Sequence, residues 1–310
     1  MMLFAAQRIN ETIDVSLLDA HGCVLSQDVS STVDVPPADN SAMDGYALRV
    51  IDVEQALPVS QRIPAGTVGS PLKKACAARV FTGAAIPTGD ELFEPGSGAL
   101  PDGGIYNSNR YTLAGLVRNL HMEFVDCGMV EDDADATAQA LLNASELADC
   151  VITTGGVSVG EEDHVKAQVQ RLGQLDLWKL AIKPGKPLAF GSIGNTPFIG
   201  LPGNPTSVFV TFCLIARPFL LKMQGVFETE SPRLQAISAF SVSRPGGRQD
   251  YLRVIVENTS QGLLANKFSN QSSGVLSSVS HSNALAVIPP GVTVSEGDTL
   301  EIILLDSIAG

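Results

Sequence analysis

Residues 155–190 read GGVSVGEEDHVKAQVQRLGQLDLWKLAIKPGKPLAF, and their reading decides the fold. An apolar run, Asp149-Cys150-Val151-Ile152-Thr153-Thr154, precedes them and predicts a strand over 150–154. The glycine turn then opens an acidic helix start and a helix over 162–172, followed by a strand over 175–182. A strand that ends in a glycine turn and feeds a helix gathers several backbone N–H groups around one point, which suits an anion. Lys179, Lys183 and Lys186 on the next crossover add charge at the same edge of a parallel sheet, where open α/β sheets bind ligands. A phosphate-bearing small molecule fits that corner.

Working outward, the spacing predicts helices over 108–120, 133–147 and 205–223, and strands over 123–128, 188–190 and 197–200. Strands alternating with helices of this length imply right-handed βαβ units and a parallel-sheet α/β domain. Residues 31–90, rich in Pro, Gly and short apolar alternations, read as hairpins and loops, behind a helix over 6–20 and a short strand over 24–29. After Ser231 the helical pattern stops. Short alternating segments at 234–240, 251–256, 284–288 and 299–304 predict a small all-β barrel or sandwich.

The 310-residue chain is long enough for two or three domains, and at 45% hydrophobic and 17% charged it is globular. A net charge of −13 leaves no basic stripe to meet a nucleic acid, so any anion site is a local cluster working against the global field. Five scattered cysteines without a C-x-x-C read as buried apolar residues in a reducing compartment. The start, MMLFAAQRINETID, lacks the pattern of a secretory signal. The most apolar segment, 205–223, contains Arg217 and Pro218 and reads as a buried helix, so no membrane is expected and the cytoplasm is.

Four motifs carry chemistry. Gly155-Gly156-Val157-Ser158-Val159-Gly160 sits where a phosphate loop would, yet it matches neither the P-loop nor the dinucleotide fingerprint; a structural turn and an anion loop both remain open. Asp163 follows in the first helical turn, either as a solvated helix start or as a site carboxylate. Leu201-Pro202-Gly203-Asn204-Pro205 is helix-start chemistry that also leaves N–H groups at the sheet's mouth. Asp39 and Asp44, five apart in DNSAMDGYA, suit a turn, and equally suit holding Mg2+.

Read in order, these pieces resemble one family, the MoeA/gephyrin-E-type molybdopterin molybdenumtransferases. The matching stretches are VPPADNSAMDGYALR (35–49), FTGAAIPTG (81–89), GDELFEPG (89–96), GGIYNSNRY (103–111), TTGGVSVGEEDHVK (153–166), LWKLAIKPGKPLAFG (177–191) and GLPGNPTSVFVTF (200–212). The resemblance implies an N-terminal linker and β-rich lobe (1–90), a MogA-like α/β domain (91–227) and a C-terminal β-barrel (228–310). It implies insertion of molybdate into adenylylated molybdopterin with release of AMP, assisted by Mg2+ or Zn2+. Asp44, Glu91, Asp163, Lys179 and Lys183 are then expected as catalytic residues, with Asp44, Glu91 and Asp163 on the metal. Thr82, Asp90, Gly155, Gly156, Ser158, Lys186, Pro202, Gly203 and Asn204 are expected around the pterin and nucleotide, and Arg253 and Ser273 near molybdate. A homodimer and a molybdopterin adenylyltransferase are the implied protein partners.

Two departures stand out. Asn107 occupies a position where the family usually has an acid. The TGAAIPTG and GDEL turns are fused at Gly89, where the family places a long segment, which implies an internal deletion and the loss of one sheet strand. Segment 79–86 is expected to take that slot. An alternative reading therefore accompanies the enzyme: a catalytically impaired molybdopterin-binding or partner protein.

Overall fold

A computed structural model describes residues 12–30, 45–47, 57–63, 75–80, 92–95, 105–131, 133–156 and 164–309. Residues 12–30 run as turns and irregular chain, so this part of the helix expected over 6–20, and the strand expected over 24–29, are not formed. Helices in proteins are stabilised mainly by packing an amphipathic face, and here Ile13, Val15 and Leu17 face solvent. Strands β1 (Gly45–Ala47), β2 (Val59–Ile63) and β3 (Ala77–Val80) form a small sheet, with β3 antiparallel to β1 and parallel to β2. Arg79 and Val80 pair there with Tyr46 and Gly45, so they do not fill a slot in the α/β sheet; 81–86 lie outside the described residues. A two-residue parallel ladder joins β4 (Leu92–Phe93) to β5 (Ile105–Tyr106).

The α/β domain follows as α1 (Ser108–Asn119), α2 (Ala134–Leu147), β6 (Val151–Thr154), α3 (His164–Leu172), β7 (Gly173–Lys179), β8 (Ile182–Lys183), β9 (Pro187–Ile193) and β10 (Thr196–Leu201). Its sheet has the order β6-β10-β9-β7 and is mixed rather than all parallel: only β6 and β10 run together. The connections explain the difference. A two-residue Gly194-Asn195 turn joins β9 to β10, and such a turn can join only antiparallel neighbours. Residues 123–128 form no strand, because Asp126 is drawn away to Arg110 while Phe124 packs on the core. The strand expected over 175–182 divides: β7 ends at Lys179, and β8 joins the barrel instead.

Helices α4 (Pro205–Thr211) and α5 (Arg217–Met223) are fused by a π-helical turn, Phe212–Ala216, in which Arg217 N–H donates to the Phe212 carbonyl. Pro218 lacks an N–H, and the widened turn absorbs the lost bond. By length and composition this 19-residue segment could cross a membrane, yet Thr206–Cys213 are buried in the molecule's core.

Alternation along the strands sends Val151, Ala189, Ile193 and Phe198 to a cluster with α2 and α3, and Leu188, Ile199 and Leu201 to one with α1 and α4. That second cluster continues through Tyr251, Leu285, Val287 and Ile303, so it also glues the domain to the barrel. The barrel comprises β11 (Leu234–Ser238), β12 (Gln249–Thr259), β13 (Gly262–Lys267), a short α6 (Ser277–Ser280), β14 (Ala284–Ile288) and β15 (Thr299–Leu304). The order β13-β11-β15-β14-β12 closes through β12–β13, which removes free edges, and β8 adds to β12. Ala236, Leu252, Val254, Ala265 and Ile302 fill its interior.

Candidate functional site

The site begins where β6 and β10 end side by side. Gly155 and Gly156 take positive φ values of 92° and 66°, which side chains other than glycine rarely adopt. Gly155 N–H donates to the Leu201 carbonyl at 3.0 Å, locking the glycine turn to the LPGNP turn. Asn109, near the start of α1, donates through Nδ2 to the Gly203 carbonyl at 2.7 Å. Its Oδ1 is buried and has no hydrogen-bond partner among the described residues. Asn109 was not singled out in the sequence beyond its place in YNSNR; a buried side-chain amide is invisible to spacing.

Asn204 stands at the head of α4 but does not cap it with its side chain. Instead Nδ2 reaches the barrel, donating to Ser273 Oγ at 3.1 Å, and Thr206 N–H donates to the Ser273 carbonyl at 3.0 Å. The Thr206 N–H at the sheet's mouth is therefore satisfied by the barrel rather than left free. Asn204, expected around the pterin and nucleotide, and Ser273, expected near molybdate, meet in this seam.

Arg253 lies just behind it. The side chain is 1% exposed, with Nε 3.2 Å from Ser278 Oγ and the two terminal nitrogens on the carbonyls of Tyr251 and Ser272. Among the described residues no carboxylate pairs with it. Burial lowers its pKa to about 10, partly offset by the charge of Asp250, and the group remains cationic at neutral pH. A buried guanidinium held only by neutral acceptors retains attraction for an anion.

The lysine strap runs alongside. Leu180 N–H donates to the Lys186 carbonyl, and Gly185, at φ 108°, is buried so close to α4 that a Cβ there would meet Thr211 Cγ2 at 2.4 Å. Lys179 and Lys186 are exposed. Lys183 is half exposed and pairs with Asp250 Oδ2 at 3.0 Å.

Comparison with known proteins bears on this arrangement. A family model described as the MoeA N-terminal region (domain I and II) matches residues 2–92, a probable molybdopterin binding domain matches 84–222, and the MoeA C-terminal region (domain IV) matches 235–305. A molybdopterin molybdenumtransferase of Haemophilus influenzae is 32% identical over 381 aligned positions, covering 94% of this chain and 93% of the relative. The chain belongs to the molybdopterin molybdenumtransferase family. A similarly described enzyme of Nostoc is 28% identical, covering 95% of this chain and 89% of its own. A molybdopterin biosynthesis MoeA protein structure from Pyrococcus horikoshii superposes with a TM-score of 0.56 at 25% identity, covering 96% and 95% of the two chains. A second, at 24% identity and a TM-score of 0.60 over 94% and 93%, shares the fold.

In this family member, six expected site residues, Asp44, Thr82, Asp90, Glu91, Ser158 and Asp163, lie outside the described residues. Among those described, no three His, Cys, Asp or Glu side chains converge as a metal site. The expected ligands Asp44, Glu91 and Asp163 are all among the residues outside that description.

A feature the sequence reading missed adjoins the GDEL turn. Arg110 bridges Glu94 at 2.8 Å and Asp126 at 2.6 Å, and the Tyr111 hydroxyl donates to Glu94 at 2.6 Å. Burial alone would raise the carboxyls, but these hydrogen bonds and the Arg110 charge hold both Glu94 and Asp126 below the usual range. Glu94 is thereby committed to structure. The cysteines also depart from expectation: Cys23 and Cys127 are exposed and only Cys213 is fully buried, because the segments around 23 and 127 lie on the surface.

Proposed function

We propose that this chain inserts molybdate into adenylylated molybdopterin and releases AMP, as a step in molybdenum cofactor biosynthesis. The observation that carries this reading is Arg253, a buried cation that pairs with no carboxylate among the described residues, beside the Ser273–Asn204 seam. Two anions must be brought together in this reaction, a tetrahedral oxyanion and a phosphate-linked nucleotide. Arg253 and Ser273 serve the first, and Lys179, Lys183 and Lys186 offset the charge of the second. Gly155, Gly156, Pro202, Gly203 and Asn204 shape the floor between them, with Ser158, Thr82 and Asp90 completing the pterin and nucleotide contacts. Asp44, Glu91 and Asp163 are the proposed catalytic carboxylates; a Mg2+ or Zn2+ ion held by them would polarise the phosphoanhydride.

The domain division at 1–90, 91–227 and 228–310 belongs to the same proposal, as do a homodimer, a cytoplasmic setting and a supply of substrate from a molybdopterin adenylyltransferase. The internal deletion does too. An alignment of 381 positions cannot be filled by 94% of a 310-residue chain, which supports a segment missing relative to the Haemophilus protein.

The test is AMP release from adenylylated molybdopterin with purified protein, molybdate and Mg2+. Molybdate-dependent release that is lost in Asp163→Ala is expected. Folded protein that binds molybdopterin yet releases no AMP would instead establish the impaired binding protein.

A further inference from the structure

Lys183 reaches the site from an unusual direction. It belongs in sequence to the α/β domain, but its two-residue strand β8 pairs with barrel strand β12, with Lys183 directly opposite Asp250. The strap is fastened there by Gln249 N–H on the Ala181 carbonyl at 2.9 Å and by Arg248 on the Ile182 carbonyl at 3.1 Å. This cross-strand placement delivers the Lys183 ammonium to Asp250 at 3.0 Å. Asp250 is the more enclosed partner, its side chain 23% exposed against 55% for the lysine. It is also the carboxylate whose charge reaches Arg253, three residues along the same strand. Asp250 thus pairs with the cation proposed for phosphate and also contributes charge to the cation proposed for molybdate.

We propose that Asp250 is a competing counter-ion: it occupies Lys183 until a phosphate displaces it, and so sets the affinity of the site for anionic ligands. This deepens the reading of Lys183 as a phosphate contact and rests on it. Exposed ion pairs are weak and easily exchanged, which is what a holding contact requires. No covalent step is involved. Lys183 changes partner from carboxylate to phosphate, and Asp250 is released to solvent and to the field of Arg253.

The experiment titrates the full chain with AMP, followed by 31P NMR, in wild type, Lys183→Ala, Asp250→Asn, Asp250→Glu and the Lys183→Ala/Asp250→Asn double variant. Asp250→Asn is expected to tighten AMP binding by about two- to fivefold, the exchange equivalent of a typical exposed pair. Asp250→Glu, which keeps the carboxylate, should behave as wild type. In the Lys183→Ala background the Asp250→Asn change should have no effect, whereas a merely structural role would act in both backgrounds. Unchanged or weaker AMP binding in Asp250→Asn, with Lys183→Ala still weakening it, overturns the proposal alone. If Lys183→Ala leaves AMP binding untouched, the reading of Lys183 as a phosphate contact falls, and the proposal with it.

Discussion

Arg110 and Arg253 are two arginines in two regions of one molecule, and their surroundings differ in kind. At the entry to α1, Arg110 is about a quarter exposed and saturated by carboxylates, with Asp126 first and Glu94 second raising its pKa. At the barrel seam, Arg253 is fully buried, meets among the described residues only a hydroxyl and backbone carbonyls, and has its pKa lowered by that burial. The first arrangement is closed: each of these charges is answered, so the network fixes Glu94 to α1 and to the 122–128 loop. Among the described residues the second is open, since a desolvated cation without a paired carboxylate is stabilised by an anion that reaches it. Pairing, rather than residue type, separates the structural arginine from the one proposed to bind.

The sharpest way to break this contrast is Arg253→Met, which keeps volume and removes charge. Molybdate-dependent AMP release should fall about a hundredfold, comparable to losing one preorganised donor, while the thermal midpoint stays level or rises. A large drop in the midpoint would mean that Arg253 is structural after all. Arg110→Met should do the reverse. Leaving Glu94 and Asp126 partly buried without their cation should cost roughly 1–3 kcal/mol in urea unfolding, with AMP affinity little changed. The same pair predicts a pH dependence. Carboxyls held below their usual range contribute stability at neutral pH that is lost as pH falls through about 4 towards their lowered values, and Arg110→Met should flatten that loss. The smallest effect is expected from Asn107→Asp. Asparagine caps α1 through Arg110 N–H at 3.3 Å and also hydrogen-bonds Glu94, so an aspartate would cap equally well but face a second carboxylate. A loss of about 0.5–1 kcal/mol, read from urea midpoints, fits that balance.

Legibility from sequence followed the range of the interactions. Helices α1, α2, α3 and the α4–α5 segment were read within a residue or two of their observed bounds, because capping residues and apolar periodicity are local. Barrel strands β11, β14 and β15 were read about as well, β12 was read short at both ends, and Gly262–Lys267 was not named. Strands expected over 24–29 and 123–128 did not form, since a strand needs a pairing neighbour that local pattern does not name. Of the site, the glycine turn, the strap lysines, Asn204, Arg253 and Ser273 were all named in advance, Arg253 and Ser273 through family resemblance alone. The roles of Asn109, Glu94, Arg110 and Asp250 were not, because each depends on a partner between 16 and 94 residues away.

The sequence by itself determined the order of elements, the family, and the residue types at the anion corner, because turn, cap and periodicity rules act over a few positions. Tertiary structure alone decided which charges are answered and which are not. It delivered Lys183 to the barrel, set Asn204 against Ser273 and enclosed Arg253 with no carboxylate paired to it among the described residues. Charge pairing and desolvation depend on distances across the fold, and no local pattern encodes those.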